Sequence, residues 1–184
     1  MSITGTGFWS FSNAIYARPG VAEAALSLQD LHGADVNIVL FCFWRARLGL
    51  SNWAPGEMQR AVDVLKPVNA VLAPYRQARR ALKNMVLEDD SLQPLYDETI
   101  ELELRIEAQA QLALEPMAQL SHALSHFGGR ADEMAASVRH LAEYTASLPN
   151  AGREADALAL QLLRAIYTAD PVMPVPGDPA LPSN

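Results

Sequence analysis

DVNIVLFCFWRARL, Asp35 to Leu48, is the most apolar stretch of the chain, and Ile38 to Trp44 within it is unbroken by any polar side chain except the thiol of Cys42. On a helix this run is apolar on nearly every side. A helix apolar all round belongs inside a protein rather than on its surface. The stretch therefore predicts the central buried helix of an all-α protein. Asp35 suits its N-cap, since a carboxylate there accepts an orphan backbone N–H. Arg45 and Arg47 fall near the negative end of the helix dipole, and Gly49 ends the element.

Upstream, Phe8 to Ala17 reads as a first helix, with Phe8, Phe11 and Ile15 on one face and Trp9 and Tyr16 on a neighbouring one. Arg18-Pro19-Gly20 is a turn. Val21 to His32 is a second helix, with Val21, Ala25, Leu28 and Leu31 as its stripe and Gly33 as its C′ stop.

Downstream, Pro55 fits the first position of a fourth helix, Glu57 the third, and Trp53 with Met58 a hydrophobic staple. Met58, Ala61 or Val62, and Leu65 continue its stripe. Pro67 and Pro74 each remove a helical hydrogen bond, which predicts a kink or break. A helix then runs to about Met85, facing inward with Val71, Leu72, Tyr75, Leu82 and Met85. Ser91 caps a long helix from Leu92 to Leu114, with Leu95, Thr99, Leu102, Ile106 and Ala113 at helical spacing. An interruption is expected at Glu115-Pro116, followed by a short piece through Phe127. Two more helices follow, Arg130 to Ser147 with Met134, Val138, Leu141 and Leu148 inward, and Gly152 to Tyr167 with Leu158, Leu162 and Ile166 inward. From residue 169 the chain is Pro-rich and is expected to form a disordered tail. The reading is thus a compact bundle-like or orthogonal packing of six to eight helices. It divides into a front module (1–86), an acidic helical extension (87–168) and the tail (169–184).

At 184 residues, half of them hydrophobic, the chain can bury a sizeable core. A single cysteine forms no internal disulfide, and together with the lack of a recognisable leader at the N-terminus it suits a reducing cytoplasm. The longest apolar run falls far short of the roughly 20 residues that cross a bilayer, so no membrane insertion is expected. The formal charge is −7 and it is unevenly placed. Residues 1–86 carry a net +4 and residues 87–184 a net −11. Net acidity argues against nucleic-acid binding, and no aromatic platform is interleaved with the arginines.

Three constellations carry chemistry. Arg76, Arg79, Arg80 and Lys83 stack on one helical face, opposite a following helix bearing Asp97, Glu98, Glu101, Glu103 and Glu107. That pattern is either an internally salt-bridged surface or an anion or acidic-partner site. Gln29, Asp30, Asp35 and Asn37 cluster among apolar neighbours. They serve as caps and a buried hydrogen-bond network, or line a pocket for a polar ligand with Arg79, in which Trp9, Tyr16 and Trp44 are candidate walls. His122 and His126 share a face at i, i+4, but no HExxH or ExxH pattern accompanies them, so no metal and no cofactor is assigned. Cys42 sits where burial would raise its pKa and bar access. No GxSxG, GxGxxG or GxxxxGK[ST] occurs, and no residue is assigned a catalytic role.

Four segments, FWSFSNAIYARPGV from Phe8, ALSLQDLHGADVN from Ala25, VLFCFW ending at Trp44, and PYRQARRALK from Pro74 to Lys83, resemble a family of small proteobacterial proteins, a domain of unknown function. The resemblance covers residues 8–83, and near Pro67 this chain lacks an aromatic residue of the pattern. It implies a helical fold and a bacterial cytoplasmic setting, and no activity. The expectation is a non-enzymatic interaction or regulatory module with a protein partner, self-association being compatible with it. The alternative is a small-molecule-binding module or enzyme using the polar cluster near Asp30 and Asn37.

Overall fold

The computed structural model describes residues 7–122 and 129–167, the side chains of 119–122 excepted. Among the described residues there are seven α-helices and no strand: α1 (Phe8–Tyr16), α2 (Val21–His32), α3 (Val36–Arg47), α4 (Glu57–Val86), α5 (Gln93–His122), α6 (Arg130–Ala146) and α7 (Arg153–Tyr167). A short 3₁₀ turn, Asp90–Leu92, joins α4 to α5. The Pro-rich tail expectation lies outside the described residues.

α3 is the hub. Every residue from Asn37 to Arg47 is buried. α6 packs along it on one side, α1, α2 and α5 contact it on others, and α7 closes over α2 and α6. Phe8 and Phe11 of α1 sit against Phe41 and Trp44, with ring centroids 5.1 to 6.1 Å apart. One continuous apolar cluster runs from Phe8 through α3 to Leu141, Leu162 and Ile166. α4 and α5 form a long hairpin, antiparallel because Arg76 reaches Glu107 while Arg79, a turn later, reaches Tyr96.

The local signals around α3 act as the sequence suggests. Gly33 takes φ 74° in the left-handed region, which lets the Ala34 N–H reach back to Leu28 O and close α2. Asp35 then caps α3, its Oδ1 accepting from the Asn37 N–H at 2.8 Å.

The far end of α3 differs from a simple dipole arrangement. Arg45 is fully buried and clasps Glu57 in a two-pronged ion pair at 2.5 and 2.9 Å. It also donates to Asn52 O and lies 4.1 Å above the Trp53 ring. Glu57 additionally accepts from the Ala54 N–H at 2.9 Å. Two charges taken out of water cost several kcal/mol each unless they are paired and hydrogen-bonded. Here both carboxylate oxygens have partners.

The long helices bring most of the corrections. α4 is unbroken across Pro67 and Pro74 and starts at Glu57 rather than Pro55. Gly56 at φ 72° separates Pro55 from the helix. α5 likewise continues through Pro116. Ahead of it Asp89 caps the 3₁₀ turn, its side chain accepting from the Ser91 N–H. Packing against neighbours offsets the hydrogen bond each proline removes. Several expected inward faces also turn outward: Leu31, Val71, Met85, Leu95, Leu102, Met134 and Val138 are exposed. The α5 stripe that actually faces the core is Ala110, Leu114 and Ala118, and the α6 stripe is His140, Leu141 and Tyr144.

His140 is buried against Trp53, and its Nε2 lies 2.8 Å from Leu50 O. A carbonyl only accepts, so Nε2 carries the proton, and the neutral ring's Nδ1 has no hydrogen-bond partner among the described residues. Burial pushes its pKa down to about 4, the Leu50 hydrogen bond opposing and the charges of Arg45 and Arg139 adding to the shift, against Glu57.

Two stability experiments follow. Glu57→Ala strands the Arg45 guanidinium and is expected to cost about 3–5 kcal/mol in urea unfolding. The paired change Arg45→Met with Glu57→Leu should cost distinctly less. Equal losses would show that stranding a charge is not the main cost. For His140, the unfolded chain takes up a proton below about pH 6.5 that the native chain refuses until about pH 4. Stability therefore falls as pH drops through that window, by at most roughly 3 kcal/mol, and levels off below it. His140→Gln should flatten that part of the profile when urea midpoints at about pH 7 and about pH 4.5 are compared.

Candidate functional site

A cavity of about 440 Å³ opens where the polar faces of five helices converge. From α1 it takes Trp9, Ser12, Asn13 and Tyr16, the face beside the Phe8, Phe11 and Ile15 core face. From α2 come Leu26, Gln29 and Asp30, and from α3 Val36, Asn37 and Leu40. Arg76, Arg79 and Arg80 of α4 form one wall, and Glu103, Leu104, Glu107 and Gln111 of α5 another. Each set recurs at three- and four-residue steps, the condition for sharing a helix face.

The floor is a buried polar chain. Ser12 Oγ lies 2.7 Å from Phe8 O and 2.8 Å from Gln111 Oε1, and Gln111 Nε2 stands 3.0 Å from Asn37 Oδ1. Ser12, Gln111 and Asn37 are all nearly inaccessible. This chain ties α1, α5 and α3 together directly beneath the cavity. Its partners satisfy groups that would otherwise cost about 1–3 kcal/mol each to bury.

The charged walls interlock. Arg76 donates from Nε to Glu103 at 3.0 Å and from Nη2 to Glu107 at 2.5 Å. Arg79 pairs through Nε with the other oxygen of Glu103 and reaches Tyr96 OH at 3.4 Å. Burial drives the Glu107 carboxyl above its ordinary range, the hydrogen bond from Arg76 only partly opposing it. Burial also raises Tyr16, with the Glu107 charge adding to the effect. For Arg76, burial alone would lower the pKa, but the hydrogen bonds and charges of Glu107 and Glu103 outweigh it and the net direction is up. Arg80, at the exposed end of the wall, makes no hydrogen bond or ion pair among the described residues.

The structure divides the residues singled out from sequence. Gln29, Asp30, Asn37, Arg76, Arg79 and Arg80 meet around one cavity. Asp35 does not line it: one carboxylate oxygen caps α3 and the other accepts from Asn69 Nδ2 at 2.6 Å. Lys83 is exposed one turn beyond the arginine wall. Trp44 belongs to the aromatic core rather than the cavity, whereas Trp9 and Tyr16 are walls. The α5 contribution and Ser12 were not singled out as binding groups. Gln111 carried only a weak signal, since it shares its alanine- and leucine-rich turn with a second amide, Gln109.

Chemically the arrangement is suited to holding a molecule. The Ser12 hydroxyl that lines it is held between Phe8 O and Gln111. Cys42 lies in the core, where burial raises its thiol pKa far above the ordinary range. Among the described residues no group of three or more His, Cys, Asp and Glu side chains is placed to hold a metal ion. His126 and the His122 side chain lie outside the described residues. No helix among them is long and apolar enough to cross a membrane.

In comparison with known proteins, one family model, described as a protein of unknown function (DUF2390), matches residues 7–114. The match thus extends past Lys83, where the sequence resemblance ended, into α5. No curated protein and no solved structure matches the chain. Every cavity residue, from Trp9 to Gln111, falls inside the matched segment, and α6 and α7 fall outside it.

Proposed function

The chain belongs to the DUF2390 family of proteins of unknown function, and from its geometry we propose that it is a non-catalytic binding protein for a small molecule seated among α1 to α5. The observation that carries this reading is the cavity. Its volume of about 440 Å³ lies in the range of small-molecule sites, which combine apolar walls with a few convergent polar groups. Trp9, Tyr16, Val36, Leu40 and Leu104 supply the apolar walls, and Asn37 with the arginines supplies the polar groups. Binding there would bridge the α4–α5 hairpin to α1–α3, which gives the occupied and empty protein different stabilities.

A neutral apolar fluorophore tests the cavity without presupposing ligand charge. N-phenyl-1-naphthylamine is expected to bind the purified protein saturably, with enhanced emission. Leu26→Trp and Leu104→Trp, placed at half-exposed rim positions, should each weaken it by about tenfold or more, equivalent to 1.4 kcal/mol. Absence of saturable binding, or equal binding to both variants, would remove the support for this reading.

A second reading, a protein-interaction role, has its own observation. At the turn end of the hairpin Met85, Leu87 and Leu95 are 54%, 80% and 50% exposed. Large apolar side chains grouped at one exposed end of a helical hairpin mark a contact surface. The simplest partner is a second copy of the chain. Sedimentation velocity over rising concentration should show self-association that Leu87→Asp with Leu95→Asp abolishes; a wild-type protein that stays monomeric throughout rules out the second copy.

A further inference from the structure

The donors and acceptors around the cavity are not evenly matched. Glu103 has both oxygens engaged by arginines, and Glu107 has one engaged by Arg76. Asp30 takes the Gln29 amide at 3.3 Å and is exposed. Each guanidinium, by contrast, carries five N–H donors. Among the described residues, Arg79 leaves one terminal nitrogen without a bond and Arg80 leaves its whole fork. These two sit at i, i+1 on α4, on the wall of the same cavity that Trp9 and Tyr16 line from α1. A planar fork matches a carboxylate in two-pronged fashion, and an aromatic wall favours a flat apolar body.

We propose that the cavity selects a small ring-bearing carboxylate, its head held by Arg80 and the free edge of Arg79 and its ring lying among Trp9, Tyr16 and Leu104. This rests on the binding reading above and adds the ligand's charge and shape to it. Glu103 pre-orients that wall: its carboxylate binds the Nε side of Arg79 and holds the guanidinium in place. A ligand carboxylate then meets a pre-oriented donor, and Glu103, buried and bound by Arg76 as well, need not leave. Arg80 is the selective element because no carboxylate among the described residues pairs with it.

The test uses the full chain and three probes of one shape: 1-naphthoate, 1-naphthalenemethanol and 1-naphthylmethylammonium, titrated by calorimetry. 1-Naphthoate is expected to bind at least about tenfold more tightly than the alcohol or the ammonium. Arg80→Gln should bring acid and alcohol to within about threefold, and Arg79→Gln should do the same. Lys83→Gln, outside the cavity, should preserve the preference. Because Arg80 is exposed and makes no ion pair among the described residues, its variant keeps the experiment decisive even if Arg79→Gln loses stability. Equal affinity for acid and alcohol, a preference for the ammonium, or a preference that survives Arg80→Gln would overturn the proposal. If the neutral alcohol still binds in those cases, the binding reading stands and only the anion assignment falls. If none of the three binds, both fall.

Discussion

The burial of α3 on every side is the constraint from which the rest of the molecule follows. A helix enclosed from Asn37 to Arg47 requires neighbours on all flanks, and the chain supplies them from both sides of it in sequence. The same enclosure takes two arginines out of water. Arg45 is matched by Glu57 at the head of α4, and Arg47 by Glu133 of α6 at 2.9 Å. These ion pairs fix where α4 and α6 sit around the carboxyl end of α3. Their net contribution to stability is modest, because desolvation offsets most of the attraction. Their effect on geometry is large, since any other docking would leave a charge unpaired in the interior.

The cavity arises from the same arrangement at the opposite end of α3. α1 presents Phe8, Phe11 and Ile15 to the core and the neighbouring face to the cavity. α5 buries Ala110, Leu114 and Ala118 lower down, which leaves Glu103, Glu107 and Gln111 on the upper part of nearly the same face. A helix that changes from apolar to polar along one stripe cannot lie flush against its neighbours throughout. Where it becomes polar the cavity lies between it and α1 to α3, and Glu103 and Glu107 bind Arg76 and Arg79 of the adjoining α4. Core and site therefore belong to one set of helix faces read at different heights.

How much of this was legible in the sequence depended on where the polar residues fell. α1, α2 and α3 have stripes of uniform character and strong punctuation, Pro19-Gly20, Gly33 and Asp35, and their positions agree with the reading to within about one residue. The all-α class followed from them. α4 and α5 misled because proline was weighed as a local breaker, whereas thirty-residue helices packed along each other hold their course across Pro67, Pro74 and Pro116. The stripe of α5 misled for a second reason. Its inward face carries Glu103, Gln111 and Glu115, so counting apolar residues selected the solvent face with Leu95 and Leu102 instead. Half of the candidate site was visible as the Gln29–Asn37 cluster and half as the arginine stripe. That they meet could not be read, because it depends on the α4–α5 hairpin folding back over α1 and α3.

The polar chain beneath the cavity has a further consequence that lies in its protons. Ser12 owns one hydrogen and faces two acceptors, Phe8 O and Gln111 Oε1. Turning both carboxamides over by 180° keeps every heavy-atom distance and removes the conflict. Ser12 then gives its proton to Phe8 O, Gln111 donates to Ser12, and Asn37 donates to Gln111. In that state the carboxamide atom that Asn37 has left over is an oxygen. The base of the cavity becomes an acceptor, which repels a carboxylate and welcomes a hydroxyl or amide N–H. In that state a molecule seated here would meet opposite polarities at its two ends, donors along α4 and an acceptor at the base, and would have only one way round to lie.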